Sequence, residues 1–168
     1  MAIKRYVAEA DNTITNAFES NLSTRATKAN MGAADVLETF VIHGQTSASI
    51  SADNAEEARI IIQFPISGAN TAIETIHRDR NDNKIPAQGK VSFYLRLFNA
   101  PHAESTPEDF DLDLKIVSKS WSEGRGLDMD TYSDTGFSSW LSASSGSAWD
   151  DPGCDFLSST DTDNFSAS

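Results

Sequence analysis

Along residues 110–117, FDLDLKIV, the apolar Phe110, Leu112, Leu114 and Ile116 alternate with Asp111, Asp113 and Lys115. A period of two with charge on the opposite face is the mark of a half-buried antiparallel strand. Residues 90–100, KVSFYLRLFNA, repeat it, with Val91, Phe93, Leu95 and Leu97 on one side and Tyr94, Arg96 and Phe98 on the other, which predicts a strand covered on both faces. Residues 59–66, RIIIQFPI, are β-branched and end where Pro65 has no N–H to give a ladder. Residues 36–44, VLETFVIHG, and 3–10, IKRYVAEA, supply two more strands. Between them lie segments 11–32, 44–58, 67–89 and 99–109, rich in the Asn, Asp, Ser, Thr, Gly and Pro that favour turns. No stretch sustains an apolar period of 3.6. A single helical turn is expected at 53–58, DNAEEA, with Asp53 as cap and Glu56 and Glu57 in the first turn. The pattern therefore predicts an all-β fold, an antiparallel sandwich of two sheets joined by long loops.

Five strands fall short of the roughly seven that close a sandwich. From Ser133 onward the pattern changes: residues 133–168 contain eleven serines, no Lys or Arg, and scattered aromatics at Phe137, Trp140, Trp149, Phe156 and Phe165. The expected organisation is a β-sandwich domain over 1–132 and a loop-rich acidic, Ser-rich stretch over 133–168. That stretch is expected to be ordered by other chains, or to begin the closing strands of a longer chain.

Charge sharpens the division. Residues 1–100 hold 11 acidic and 10 basic side chains, residues 101–168 hold 14 and 3, and the total is −12. Such a surface repels polyanions, so nucleic acid is not an expected partner. The single cysteine, Cys154, rules out an internal disulfide, and stability is left to packing. The opening, MAIKRYVAEADN, lacks the apolar run of a signal peptide and no later run reaches the ~18 residues of a membrane span, so synthesis in a cytoplasm and no membrane partner are expected.

Residues 119–130, KSWSEGRGLDMD, are the segment that most resembles chemistry. A calcium loop beginning at Asp128 would place Asp130 third, Tyr132 fifth, Ser133 sixth and Ser139 twelfth, which fails an EF-hand at the fifth, sixth and twelfth positions. An irregular calcium site on Asp128, Asp130 and Asp134 is the metal candidate that survives. His43, His77, His102 and Cys154 are too scattered for zinc, no nucleophile motif surrounds Cys154, and Gly124–Arg–Gly126 lacks the spacing of a phosphate loop. No cofactor and no enzyme activity are expected. Trp121 reads either as an indole closing the end of the 110–117 ladder or as a platform for a sugar ring. Tyr132, Trp140 and Trp149 are the other sugar-platform candidates.

The order of these segments resembles the DNRLRE domain, a jelly-roll-like sandwich related to carbohydrate-binding modules. The resemblance spans about residues 8–125 and rests on NMG (30–32), RIIIQF (59–64), PAQG (86–89), YLRLF (94–98) and WSE (121–123). The opening, MAIKRYVAEADNTITNAF, is similar to the start of DNRLRE-type structural proteins of marine tailed bacteriophages. That resemblance implies a non-enzymatic virion protein, made in the host cytoplasm and mounted on capsid or tail through other virion proteins in multiple copies. It carries over no catalytic residues. A module recognising host cell-surface glycans is the alternative it implies.

Overall fold

The computed structural model describes residues 3–43, 55–67, 75–87, 89–102, 110–129 and 133–157. It is mostly strand and coil with a single short helix among the described residues, and its sheets are small, as an all-β chain would have. Strands β1 (Ala10–Thr15), β2 (Phe40–His43) and β3 (Ala55–Gln63) form a three-stranded sheet in the order β1-β3-β2. β2 runs antiparallel to β3, with Phe40 opposite Ala58 and His43 opposite Ala55. Helix α1 (Ile76–Asn81) follows, and β4 (Ser142–Ser144) and β5 (Ser147–Ala148) make a separate antiparallel hairpin. The chain divides into two compact units, residues Met1–Ala10 with Ile62–Ser105, and residues Asp11–Ile61 with Thr106–Ser168.

In the second unit, β1 is where expectation and structure part. ADNTIT contains one large apolar side chain, and the segment 11–32 reads as a loop. Yet Asn12, Thr13, Ile14 and Thr15 are all buried. Their polar atoms are satisfied locally, which lets a polar strand sit inside the protein. Asn12 Oδ1 accepts from the Met31 amide at 2.9 Å, and its Nδ2 donates to Ser138 Oγ at 2.7 Å. Thr13 Oγ1 accepts from the Glu38 amide, and Thr15 Oγ1 donates to the Glu57 carbonyl.

The apolar cluster of this unit joins Ile14 and Ile61 to Trp140, Ala143, Trp149 and Cys154, with Val117 and Trp121 packed against it. Four of those six buried residues come from the serine-rich stretch, which is therefore more than a loop ordered from outside. The small residues of β4 and β5 let that hairpin lie close to the two indoles: Ala143 is fully buried, and its carbonyl accepts from the Ser122 amide at 2.9 Å. Residues 55–58, expected to form a helical turn, belong to β3 instead; Asp53, the expected cap, lies outside the described residues. Glu56 is buried on that strand and accepts from the Phe18 amide at 2.8 Å, a bond that an N-terminal helical position would not offer.

In the first unit, a carboxylate organises the fold. Thr75 caps α1 by accepting from the Arg78 amide, and Asp79, one turn in, is completely buried. It accepts from the Tyr6 hydroxyl at 2.9 Å and pairs with Lys4 at 3.2 Å and Lys84 at 3.4 Å. Burial raises its pKa, but the Tyr6 hydroxyl and the two ammonium groups outweigh it and hold the carboxyl below the ordinary 3.8.

The two most regular alternating segments take neither strand nor helix. Residues 91–102 and 110–115 make no backbone hydrogen bond among the described residues, and only at Val117, which bridges Phe156, does the second segment join a ladder. Phe93, Leu95, Leu97, Phe110, Leu112, Leu114 and Ile116 are all exposed. The expected 90–100 strand, covered on both faces, is thus an uncovered segment here.

Candidate functional site

The glycine corner at 119–130 is built around a residue almost a hundred positions away. Asn30 is fully buried, and its Oδ1 accepts from the Gly126 amide at 2.8 Å while its Nδ2 donates to Asp134 Oδ2 at 3.2 Å. Asp134 in turn accepts from the Arg125 amide at 2.7 Å, and its other oxygen lies 3.7 Å from the Arg125 guanidinium. A Cβ at Gly124 would overlap the Asn30 amide group, and one at Gly126 would overlap the Asn30 backbone carbonyl. The glycines are there because Asn30 approaches too closely for any side chain. Arg125, between them, turns outward and stacks on Phe137 at 4.5 Å.

This arrangement decides how the acidic residues of the corner are used. Asp134 is buried and spends its oxygens on Asn30 and Arg125. Asp128 is exposed and its backbone bridges Asn30, while Asp130 lies outside the described residues. Among the described residues, no group of three acidic, His or Cys side chains is placed to hold a metal ion. At the other end of the corner, Glu123 accepts from the Asp11 amide at 2.8 Å; burial, with the neighbouring Glu123 charge, pushes the Asp11 carboxyl above its ordinary value.

The aromatic candidates are used as packing. Trp140 and Trp149 are buried in the apolar cluster, and the Trp149 indole N–H donates to the Ser139 carbonyl at 2.8 Å. One face of Trp140 carries the Arg59 guanidinium at 4.8 Å, so neither indole offers a free face to a sugar. Trp121 is half-buried against the same cluster, as an indole closing the core would be, and Tyr132 lies outside the described residues.

An open cavity of about 420 Å³ adjoins this core, lined by Arg59, Asp150, Asp151, Cys154 and Asp155 among others. Two of its carboxylates, Asp150 and Asp155, are paired with Lys119. Asp155 Oδ1 accepts from the Asp150 and Asp151 amides, and its Oδ2 lies 2.9 Å from Lys119, which also reaches Asp150 at 3.0 Å. The Lys119 bond outweighs burial and holds the Asp155 carboxyl low, while Asp155 and Asp150 raise the Lys119 ammonium. Cys154 is buried beside them with a backbone φ of 93°. Burial first, and then the Asp155 charge, push its thiol up to about 11. At neutral pH it is protonated and a poor nucleophile.

Among the described residues, the two alternating segments 91–102 and 110–115 have no backbone hydrogen-bond partner. Arg96 stacks on Phe98 at 4.7 Å and Lys115 on Phe156 at 4.2 Å, whereas Asp111 and Asp113 make no ion pair among the described residues. Unpaired backbone, exposed apolar rows and uncompensated charges at regular spacing are the features of a surface that binds by strand addition. Sequence reading found both segments from their periodicity. It missed Asn12, Asn30 and Asp79 as organising residues, because each acts on partners remote in the chain. No protein-family model, curated protein or solved structure matches this chain.

Proposed function

We propose that the chain is a non-enzymatic structural protein of a tailed-bacteriophage particle, held in place by β-strand pairing with neighbouring protein. The observation that carries this reading is the pair of segments 91–102 and 110–115, alternating, apolar on one side and without backbone partners among the described residues. A large apolar row left in water is unfavourable by roughly 25 cal/mol for each Å² that a partner would cover, so it is a surface made to be covered. The DNRLRE-like order of segments and the phage-like opening supply the setting, and a closed jelly-roll-like sandwich is the form we assign to the assembled state. The buried, protonated Cys154 and the ion-paired Asp155 beside it support a structural role over a catalytic one. Burial of Trp140 and Trp149 weighs against the sugar-binding alternative. Quantitative mass spectrometry of purified particles of the encoding phage is the test. The chain is expected at a fixed copy number, and its absence from particles would overturn the reading.

A further inference from the structure

Of the five prolines, only Pro152 follows an aspartate. An Asp–Pro peptide joins a carboxyl that can reach its own backbone carbonyl to a nitrogen without an N–H, a tertiary amide. Here that bond lies in a turn at the rim of the cavity beside Arg59, and Asp151 and Pro152 are both exposed. The neighbouring carboxylates are occupied, Asp150 and Asp155 by Lys119 at 3.0 and 2.9 Å. The Asp151 carboxyl makes no hydrogen bond or ion pair among the described residues, where only its amide is engaged. The Asp151 backbone carbonyl accepts no backbone hydrogen bond there either. No described bond therefore holds the carboxyl away from its own carbonyl, and a nucleophile tethered to its target acts at a high effective concentration.

We infer that the Asp151–Pro152 bond is a self-cleavage site in mild acid, and that the cut chain stays assembled. An oxygen of the Asp151 carboxyl attacks the Asp151 carbonyl carbon and closes a cyclic anhydride. The C–N bond to Pro152 breaks, and the proline nitrogen takes up a proton and leaves as a secondary amine. Water then opens the anhydride, so one water is consumed, Asp151 becomes a C-terminus, and nothing is oxidised or reduced. Both new ends are anchored by bonds that the cut does not touch. Upstream, the Asp150 and Asp151 amides donate to Asp155 Oδ1 at 2.8 and 3.1 Å. Downstream, the Gly153 amide donates to the Trp140 carbonyl at 2.7 Å, and the Gly153 carbonyl accepts from Arg59 at 2.8 Å. The Leu157 amide donates to the Ile116 carbonyl at 2.9 Å, and Cys154 is buried in the core between them. The titratable and charged groups around the turn are Asp150, Cys154 and Asp155 of its own segment, Lys119, Lys115 across the Phe156 ring, and Arg59 of β3. The Lys119 bond holds the Asp155 carboxyl below the ordinary carboxylate range, so the clamp on the two amides persists into mild acid. This inference is independent of the particle reading above.

Intact-mass measurement on the full chain tests this, at the lowest pH at which tryptophan fluorescence still reports the native core. Two fragments are expected, residues 1–151 and the piece that begins at Pro152, with masses that sum to the chain plus one water. Returned to neutral pH, they are expected to elute together in size exclusion and to separate only in urea. Asp151→Asn removes the attacking carboxyl and Pro152→Ala the tertiary amide, and each is expected to slow the cut about tenfold or more. Both positions are exposed, and unchanged urea unfolding at neutral pH shows that each variant keeps the fold. The same chain in urea at the same acid pH gives the rate of an unshielded bond, and the folded chain is expected to be cut at a similar rate. A folded chain that stays whole while the unfolded chain is cut shows that the fold shields the bond, and overturns the site. No cut in either state, or an equal cut in Asp151→Asn, overturns it as well. Fragments that part at neutral pH without urea overturn the assembled state of the cut chain.

Discussion

Replacing Asn30 by Ala tests whether the glycine corner is a structural hub. The substitution removes the acceptor of the buried Gly126 N–H and the donor to Asp134, in a position with no access to water. A buried N–H without a partner costs about 1–3 kcal/mol. With the lost contacts of the amide against Gly124 and Gly126, a total of about 2–4 kcal/mol is expected. Set against the roughly 5–15 kcal/mol by which domains are stable, that is a large fraction. With a urea slope of about 2 kcal/mol/M, the midpoint falls by about 1–2 M. Unfolding followed by the fluorescence of Trp121, Trp140 and Trp149, all in or against the same core, reads it directly. Asn30→Asp separates the two bonds, because it keeps the acceptor and turns the donor into a carboxylate facing Asp134. Two neighbouring carboxylates raise the pKa of the introduced group. Its destabilisation is therefore greatest near neutral pH and shrinks as pH falls and the introduced group takes up a proton to donate. An unchanged midpoint for Asn30→Ala, or no loss for Asn30→Asp at neutral pH, would refute the corner as a hub.

Other outcomes follow from the charges and the core. Asp79 and Asp155 are both held below 3.8, so their stabilisation is present above that pH and lost as pH falls through their lower folded values; Asp79→Asn and Asp155→Asn should flatten the acid limb of a pH–stability curve. Lys119 is raised above 10.5, so its contribution is complete below that pH and lost as pH rises through the folded value, and Lys119→Met should shrink the alkaline limb in the same measurement. Trp149→Phe loses the bond to Ser139 and some area and should cost about 1–2 kcal/mol, against about 3–5 kcal/mol for Trp140→Ala, both by urea unfolding. Cys154 should react with a thiol reagent at pH 8 far more slowly in the native protein than in urea, because it is buried and its thiol lies near 11; equal rates would count against its placement.

Different parts of this chain differ in how readily they are read from sequence, and the reasons are physical. Periodicity marks a segment as a strand-former, which is why 110–117 and 90–100 stand out; it says nothing about whether a partner strand is at hand. β1 is hidden for the opposite reason, since Asn12, Thr13 and Thr15 are buried through hydrogen bonds rather than through apolarity. Helix α1 has 6 residues, less than two turns and too short for an apolar stripe to show, and its anchor Asp79 finds Tyr6 at a separation of 73 residues. The spacing of the corner at 119–130 excludes an EF-hand, but the residue that shapes it, Asn30, is visible only in three dimensions. In the serine-rich stretch the small residues that suggest a loop are the ones that let Trp140 and Trp149 enter the core.

The claim that this chain acts by strand pairing inside a phage particle is tested most directly by a cryo-EM map of purified particles at side-chain resolution. The account predicts density for the chain at symmetry-defined positions, with residues 91–97 hydrogen-bonded in an antiparallel ladder to a neighbouring chain. A map in which the chain occupies the particle with both segments facing solvent, or in which it is missing altogether, would contradict it.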